Sequence, residues 1–313
     1  MRNHFTLENA KRAIQNPRLI RREIHRLLSL PFNHGYGYYV DRNVDTIDVM
    51  SEDWDNLLIL DACRADYFEN QHSFDGSSRR VLSPGKMSWE FMKKTFQGEK
   101  FHDTIYITSN PFATRLSEDT FFKTLYLIDE WDDEIGTIHP EDVAEAAKRA
   151  HAQHPNKRLI LHFMQPHRPY LGATAERLRK RVDLVGYRNE GNGLQIWGAV
   201  KEGEVTMEEV RTAYSETLDI VLDVVDDFLK EISGKSVITA DHGEMLGERV
   251  FPFTSRVWGH SEGFSTQTLR QVPWLEVPGE TRRDVAESSP IEAEQELKED
   301  EVEDRLRALG YTE

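Results

Sequence analysis

Five short apolar runs constrain this chain more than any other feature: Leu57-Leu58-Ile59-Leu60, Thr104-Ile105-Tyr106-Ile107, Leu159-Ile160-Leu161-His162-Phe163, Val237-Ile238-Thr239 and Val272-Pro273-Trp274-Leu275. Runs of this length without polar alternation have no face for solvent, so each predicts a strand covered on both sides. Helical patterns fall between them. Pro140 to Ala152 is Ala-rich, and Met207 to Ile232 gathers Val210, Ala213, Leu218, Val221, Val225 and Phe228 on one broad face. Thr206 and Glu209 have capping-box spacing at the start of the second helix, and Gly234 follows its end. Strands separated by helices predict an α/β protein with a mostly parallel sheet. Ligands of such sheets gather beyond the carboxyl ends of the strands.

Charge narrows the function classes. The 313 residues carry 55 Asp and Glu against 39 Lys and Arg, a net charge of −16, which excludes a generally basic nucleic-acid binder. An anionic substrate must then be met by a local positive site such as a metal ion or an arginine cluster. No uninterrupted run of about 18 apolar residues is present to span a bilayer. Cys63 stands alone, so internal disulfides are excluded, and Met1 to Leu30 lacks the continuous apolar stretch of a secretory leader. The expected location is cytoplasmic.

The ends differ from the middle. Residues 1–28 hold seven Lys or Arg and two acids, with Leu19, Ile20, Ile24, Leu27 and Leu28 at helical spacing. Such a basic amphipathic helix either lies peripherally on an anionic membrane or acidic partner, or packs its stripe on the protein's own core. Residues 280–313 hold twelve acids and five bases and end in a short helical pattern around Val302, Leu306 and Leu309. The expected organisation is a basic extension over 1–50, a catalytic α/β domain over 51–279 and an acidic tail over 280–313.

Three of the expected strands run directly into polar groups of metal-binding type. The first ends at Asp61, the third contains His162 and continues to His167, and the fourth ends at Asp241-His242-Gly243-Glu244; Trp258-Gly259-His260 adds an imidazole from a loop. Singly, each has an ordinary structural explanation. Asp61 can cap a turn, His162 can be a hydrogen-bonded core residue, and Asp241-His242-Gly243 can be a turn with glycine at positive φ. Together, carboxylates and imidazoles at neighbouring strand ends suit a hard or borderline divalent cation.

The segments Leu58 to Asp66, His162 to Tyr170 and Thr239 to Glu248 resemble the metal- and substrate-binding segments of the alkaline phosphatase and sulfatase superfamily. The likeness is greatest to the sulfatase-like proteins of halophilic archaea, down to the ending Arg305-Leu306-Arg307-Ala308-Leu309-Gly310-Tyr311. It implies an α/β/α sandwich, an alkaline phosphatase-like fold, and hydrolysis or transfer of a phosphate or sulfate ester, free or linked to a glycan or lipid. The family's nucleophile opens a helix after the first strand. Here Ser88 fits that place best and Ser83 is the runner-up, although either can simply cap a helix. A formylglycine context of sulfatase type is missing, which favours phosphate chemistry with an unmodified serine.

Position by position, Asp61, Ser88, Asp241 and His242 resemble the set that holds one metal and the nucleophile. His167 and His260 match imidazole positions, while Phe163 and Gln165 supply no carboxylate for a second ion. The resemblance thus implies one firmly held divalent ion (Mn, Zn, Mg or Ca), with a second bound weakly with help from His162, or His167 and His260 contacting substrate directly. His260 is in this way both a metal and a catalytic candidate. Arg64 and Lys86 are candidates for steadying phosphate oxygens, with surface ion pairing as their ordinary alternative. A sulfatase, or a non-catalytic metal-binding member of the same fold, is the competing reading.

Overall fold

In a computed structural model, the chain is described over residues 17–42, 45–182, 184, 195–260, 264–291 and 299–309. Seven strands form one sheet: β1 (Asn56–Asp61), β2 (Ser77–Leu82), β3 (Phe101–Thr108), β4 (Phe121–Tyr126), β5 (Arg158–Pro166), β6 (Ser236–Ala240) and β9 (Gln271–Val277). A two-stranded ribbon joins β7 (Met245–Arg249) to β8 (Arg256–Gly259). The sheet order is β2-β9-β6-β1-β5-β3-β4, with parallel pairing from β6 across to β4 and antiparallel pairing only around β9. The five apolar runs are the strands β1, β3, β5, β6 and β9.

β1 is buried at all six residues because it lies between β5 and β6 and is covered on both faces. The helices Pro140–Gln153 and Met207–Glu231 pack against β5. Across the sheet, the helix Ser88–Thr95 sets Phe91 beside His162 and leads into Phe96, which packs on Tyr106 and Phe121. The result is an α/β/α sandwich. Thr206 caps the long helix in the expected capping box, its hydroxyl accepting from the Glu209 N–H while Glu209 reaches back to the Thr206 N–H. Gly234 closes that connection at φ 98°, in the left-handed region.

The terminal segments are structured where described. A helix spans Pro17–Arg42, longer than the amphipathic pattern that announces it, while residues 1–16 lie outside the described residues. The acidic tail runs along the sheet edge, with Ala286, Ser288 and Ile291 donating backbone hydrogen bonds to Asn156, His102 and Phe122. The buried Lys157 ammonium gathers His102, Ala286 and Ser288 at the same place. The helix Glu299–Ala308 then buries Leu306, and Leu309 follows it into the core.

Candidate active site

β1 and β6 are neighbours and parallel, so Asp61 at the end of one and Asp241 just past the end of the other emerge side by side. A register shift between Leu60 and Asp61 turns the end of β1 out of its regular pairing with β5. Ala62 follows with φ 59°, a left-handed conformation that costs a non-glycine residue roughly 1–2 kcal/mol. That turn aims the Ala62 N–H at Asp241 Oδ1 (3.0 Å), which also accepts from the His242 N–H (2.8 Å). Asp241 is therefore held through one oxygen, and Oδ2 faces the cluster.

Asp61 is held in the same way. Its Oδ2 accepts from Ser88 Oγ (3.0 Å) and Asn110 Nδ2 (2.7 Å). Its Oδ1 stands 3.5 Å from His242 Nε2, which is also 3.5 Å from Asp241 Oδ2. The His242 ring is oriented from behind. Nδ1 lies 2.7 Å from the Gly243 carbonyl, which can only accept, so that contact assigns the proton to Nδ1 and leaves the Nε2 lone pair facing both carboxylates.

The fit to a metal ion can be tested on these atoms. Asp61, Asp241 and His242 offer ligand atoms within 4.8 Å of one another, all three residues are fully buried, and neither Asp61 Oδ1 nor Asp241 Oδ2 has a hydrogen-bond partner among the described residues. Two unpartnered carboxylate oxygens sharing a dry site are costly unless a cation lies between them. The charge state agrees. Burial, then the neighbouring Asp241, pushes the Asp61 carboxyl well above the usual carboxylate range. Asp241 stays below that range because His242 and His162 outweigh its burial. The pair thus resists carrying two negative charges at once, a cost that a divalent ion would relieve. The donor set of two oxygens and an imidazole suits a hard or borderline divalent cation.

Ser88 sits at the edge of this cluster, 3.4 Å from His242 Nε2, as the first residue of its helix. The N-cap residue Met87 makes no side-chain cap, and the amides of a helix's first turn point away from it, so this end of the helix suits an anion. Ser83 is placed differently. Its hydroxyl donates to the Asp241 backbone carbonyl and accepts from the Gly85 N–H, a bracing role that leaves Ser88 as the hydroxyl in the cluster.

A second group forms beside the first. His167, Glu244 and His260 also present ligand atoms within 4.8 Å of one another. The His260 and His242 rings are 4.3 Å apart between centroids, and His260 Nδ1 lies 3.1 Å from Glu244 Oε1. Glu244 is fully buried, and its Oε2 has no hydrogen-bond partner among the described residues. Burial would raise this carboxyl, but His260 outweighs it and holds the group below the usual range. Burial first, then Arg168, depresses the His167 imidazole well below its usual range, which keeps it neutral.

The carboxylate for this group therefore comes from Glu244. Neither of the positions where a ligand was sought supplies it; Gln165 turns away, donating to the Ile138 carbonyl and Thr137. Sequence reasoning quoted Glu244 without giving it a role, and it missed Asn110. The only sequence signal for Asn110 was its place just past β3, and it does cap the turn there by accepting from the Phe112 N–H.

The remaining candidates lie outside the two groups. His162 is buried behind Asp241, 3.7 Å from Oδ2, with Tyr106 Oη 2.8 Å from its Nδ1, so it supports that carboxylate. Arg64 spends its fork on Asp66, Glu248 and the Glu244 carbonyl. Lys86 pairs with Asp41 of the first helix at 3.1 Å. Both cations fall to local carboxylates whose proximity depends on tertiary folding. Gly243 does not adopt positive φ; its glycine is required because a Cβ would lie 2.1 Å from the Thr268 carbonyl.

No family model and no curated protein matches the sequence. Among solved structures, the chain is similar to the integral membrane lipooligosaccharide phosphoethanolamine transferase A of Neisseria meningitidis (13 % identity, TM-score 0.47, 77 % of this chain and 51 % of that one). It thus spans about half the length of that protein. It is also similar to the C-terminal periplasmic domain of EptC from Escherichia coli in complex with Zn (14 % identity, TM-score 0.47, 76 % of each chain). A third similarity is to the Streptococcus pyogenes phosphoglycerol transferase GacH in complex with sn-glycerol-1-phosphate (11 % identity, TM-score 0.40, 92 % of this chain and 91 % of that one).

Proposed function

We propose that the protein is a metal-dependent hydrolase or transferase of phosphate esters with Ser88 as its nucleophile. The observation that carries this reading is the placement of the Ser88 hydroxyl against Asp61 and 3.4 Å from His242 Nε2, beside two buried carboxylate oxygens that have no hydrogen-bond partner among the described residues. Asp61, Asp241 and His242 would hold a divalent ion, and His167, Glu244 and His260 have the donors for a second. Such an ion supplies Lewis acidity: it favours the alkoxide form of a nearby hydroxyl and offsets the charge of phosphate oxygens.

The chain's own residues do the rest. Asp61 Oδ2 fixes the direction in which the Ser88 proton points, and Asn110 keeps that carboxylate from rotating. Ser88 attacks phosphorus, the ester oxygen departs, and phosphate becomes bound to Oγ; water or an acceptor alcohol then releases it. The positive end of this helix would face the phosphate oxygens. His260, its Nδ1 held by Glu244, has its ring beside that of His242 and can relay a proton to or from the departing oxygen.

A sulfatase with a modified cysteine is disfavoured by Cys63. That thiol is fully buried and its pKa is raised by the burial, so it cannot present a reactive group. The test is turnover of phosphomonoesters, phosphodiesters and aryl sulfates by metal-loaded protein, followed by mass spectrometry of the quenched enzyme. Phosphate trapped on Ser88 is the expected result. Full turnover by Ser88→Ala, or hydrolysis of sulfates alone, would overturn the proposal.

A further inference from the structure

The helix Pro17–Arg42 packs on the protein with its polar and small side turned inward. Ser29, Asn33 and Val40 are buried, and Gly37 approaches so closely that a Cβ would lie 3.0 Å from the Ser265 backbone. His25 and Ser29 hydrogen-bond with Ser255, and Asp41 ties the end of the helix to Lys86, Ser265 and Arg270. The opposite side carries Ile20, Ile24, Leu27, Leu28, Phe32 and Tyr39, which fall within an arc of roughly 140° at about 100° per residue. These side chains are exposed, Ile24 by 53 % and Leu28 by 67 %. Phe253, itself 58 % exposed, extends the stripe by packing edge-on against Phe32.

With Tyr38, which falls in the same arc, eight of the nine exposed large hydrophobic residues among the described ones belong to this patch, so the exposure is concentrated and not scattered. Its charge is equally distinctive. The helix carries Arg18, Arg21, Arg22, Arg26 and Arg42 against Glu23 and Asp41, in a chain of net charge −16. We infer that this face is an interfacial helix that docks on an anionic lipid bilayer, lying in the headgroup plane with the apolar stripe inserted. The helix is not apolar enough to cross a membrane. Arg21 and Arg42 fall within the same arc, so pairing with a second copy would bring like charges together, whereas an anionic headgroup layer complements them. Asp41 fastens the docked helix to Lys86, two residues from Ser88.

The test is flotation of the full chain with vesicles of phosphatidylcholine alone, or of phosphatidylcholine with one-third phosphatidylglycerol, at low and high salt, in the presence of EDTA. Binding to the anionic vesicles, weakened by salt and by omission of phosphatidylglycerol, is expected. An Ile24→Glu/Leu28→Glu variant should lose binding on the order of tenfold or more with an unchanged melting temperature, because both positions are exposed. Equal binding by that variant, or no binding by the parent chain, would overturn the inference. So would sedimentation showing a lipid-free dimer that the same variant dissociates, since the patch would then be covered by a second copy. No ion or turnover is needed, so failure here is separable from failure of the proposed chemistry.

Discussion

Replacing Asp61 by Asn should stabilise the metal-free protein while abolishing its affinity for a divalent ion. The substitution keeps an acceptor for Ser88 Oγ and Asn110 Nδ2, and places an amide N–H where Oδ1 stood, 3.5 Å from the His242 Nε2 lone pair. It also removes one of two buried carboxylates whose facing atoms lie within 4.8 Å. At an effective dielectric of about 20, two full charges no farther apart than that repel by at least about 3.5 kcal/mol, of which the variant recovers the part that protonation has not already relieved. The gain depends on pH because the wild-type site relieves itself by protonation. Burial and Asp241 raise the Asp61 carboxyl in the folded state, so the folded chain keeps a proton that the unfolded chain releases above about pH 4. The stability from that proton is complete below the unfolded value and is lost as pH rises through the raised one. Thermal unfolding in EDTA should therefore show variant and wild type close together near pH 4, with the variant pulling ahead by several degrees under alkaline conditions. Added Mn or Zn should stabilise wild type alone, by about 2.7 kcal/mol at a hundredfold excess over Kd, and leave the variant unchanged. A variant less stable than wild type in EDTA at alkaline pH, or one that still gains from metal, would refute the reasoning.

Three further outcomes are expected. Ser83→Ala should lose about 1–3 kcal/mol in chemical denaturation by leaving the Asp241 carbonyl unbonded, yet retain turnover, whereas Ser88→Ala should lose a thousandfold or more in kcat with its fold intact. Glu244→Gln should lower metal content by up to one ion per chain in elemental analysis and leave the ion at Asp61 and Asp241 in place; unchanged stoichiometry at saturation would argue against the second group. Gly243→Ala must displace the Thr268 carbonyl, so a loss of about 1–3 kcal/mol in melting experiments is expected, accompanied by weaker metal binding through the shifted His242.

The parts of the fold that were legible in the sequence are those buried on both faces. β1, β3, β5, β6 and β9 show as apolar runs because each lies inside the sheet. β2 gave no such signal, since Ser77 to Arg80 are exposed on an edge strand whose pairing with β9 is made by backbone groups. Asp61, Asp241 and His242 were legible because parallel neighbouring strands deliver their last residues to one place. The use of Arg64 was not, because Glu248 reaches it from a ribbon that bears no characteristic pattern. Glu244 was hidden for a simpler reason: a glutamate after a glycine reads as a solvated turn until tertiary structure buries it. In the N-terminal helix the apolar spacing was plain, but which side faced the protein was decided by Gly37 and the small residues opposite.

Each carboxylate of the first cluster has one oxygen fastened to the scaffold, Asp241 by two backbone amides and Asp61 by the Ser88 hydroxyl and the Asn110 amide. Neither can swing aside, so the freedom of these side chains is surrendered when the chain folds. A cation taken up there would change the local charge without a search among rotamers, and its affinity should respond to acidity far more than to viscosity or crowding.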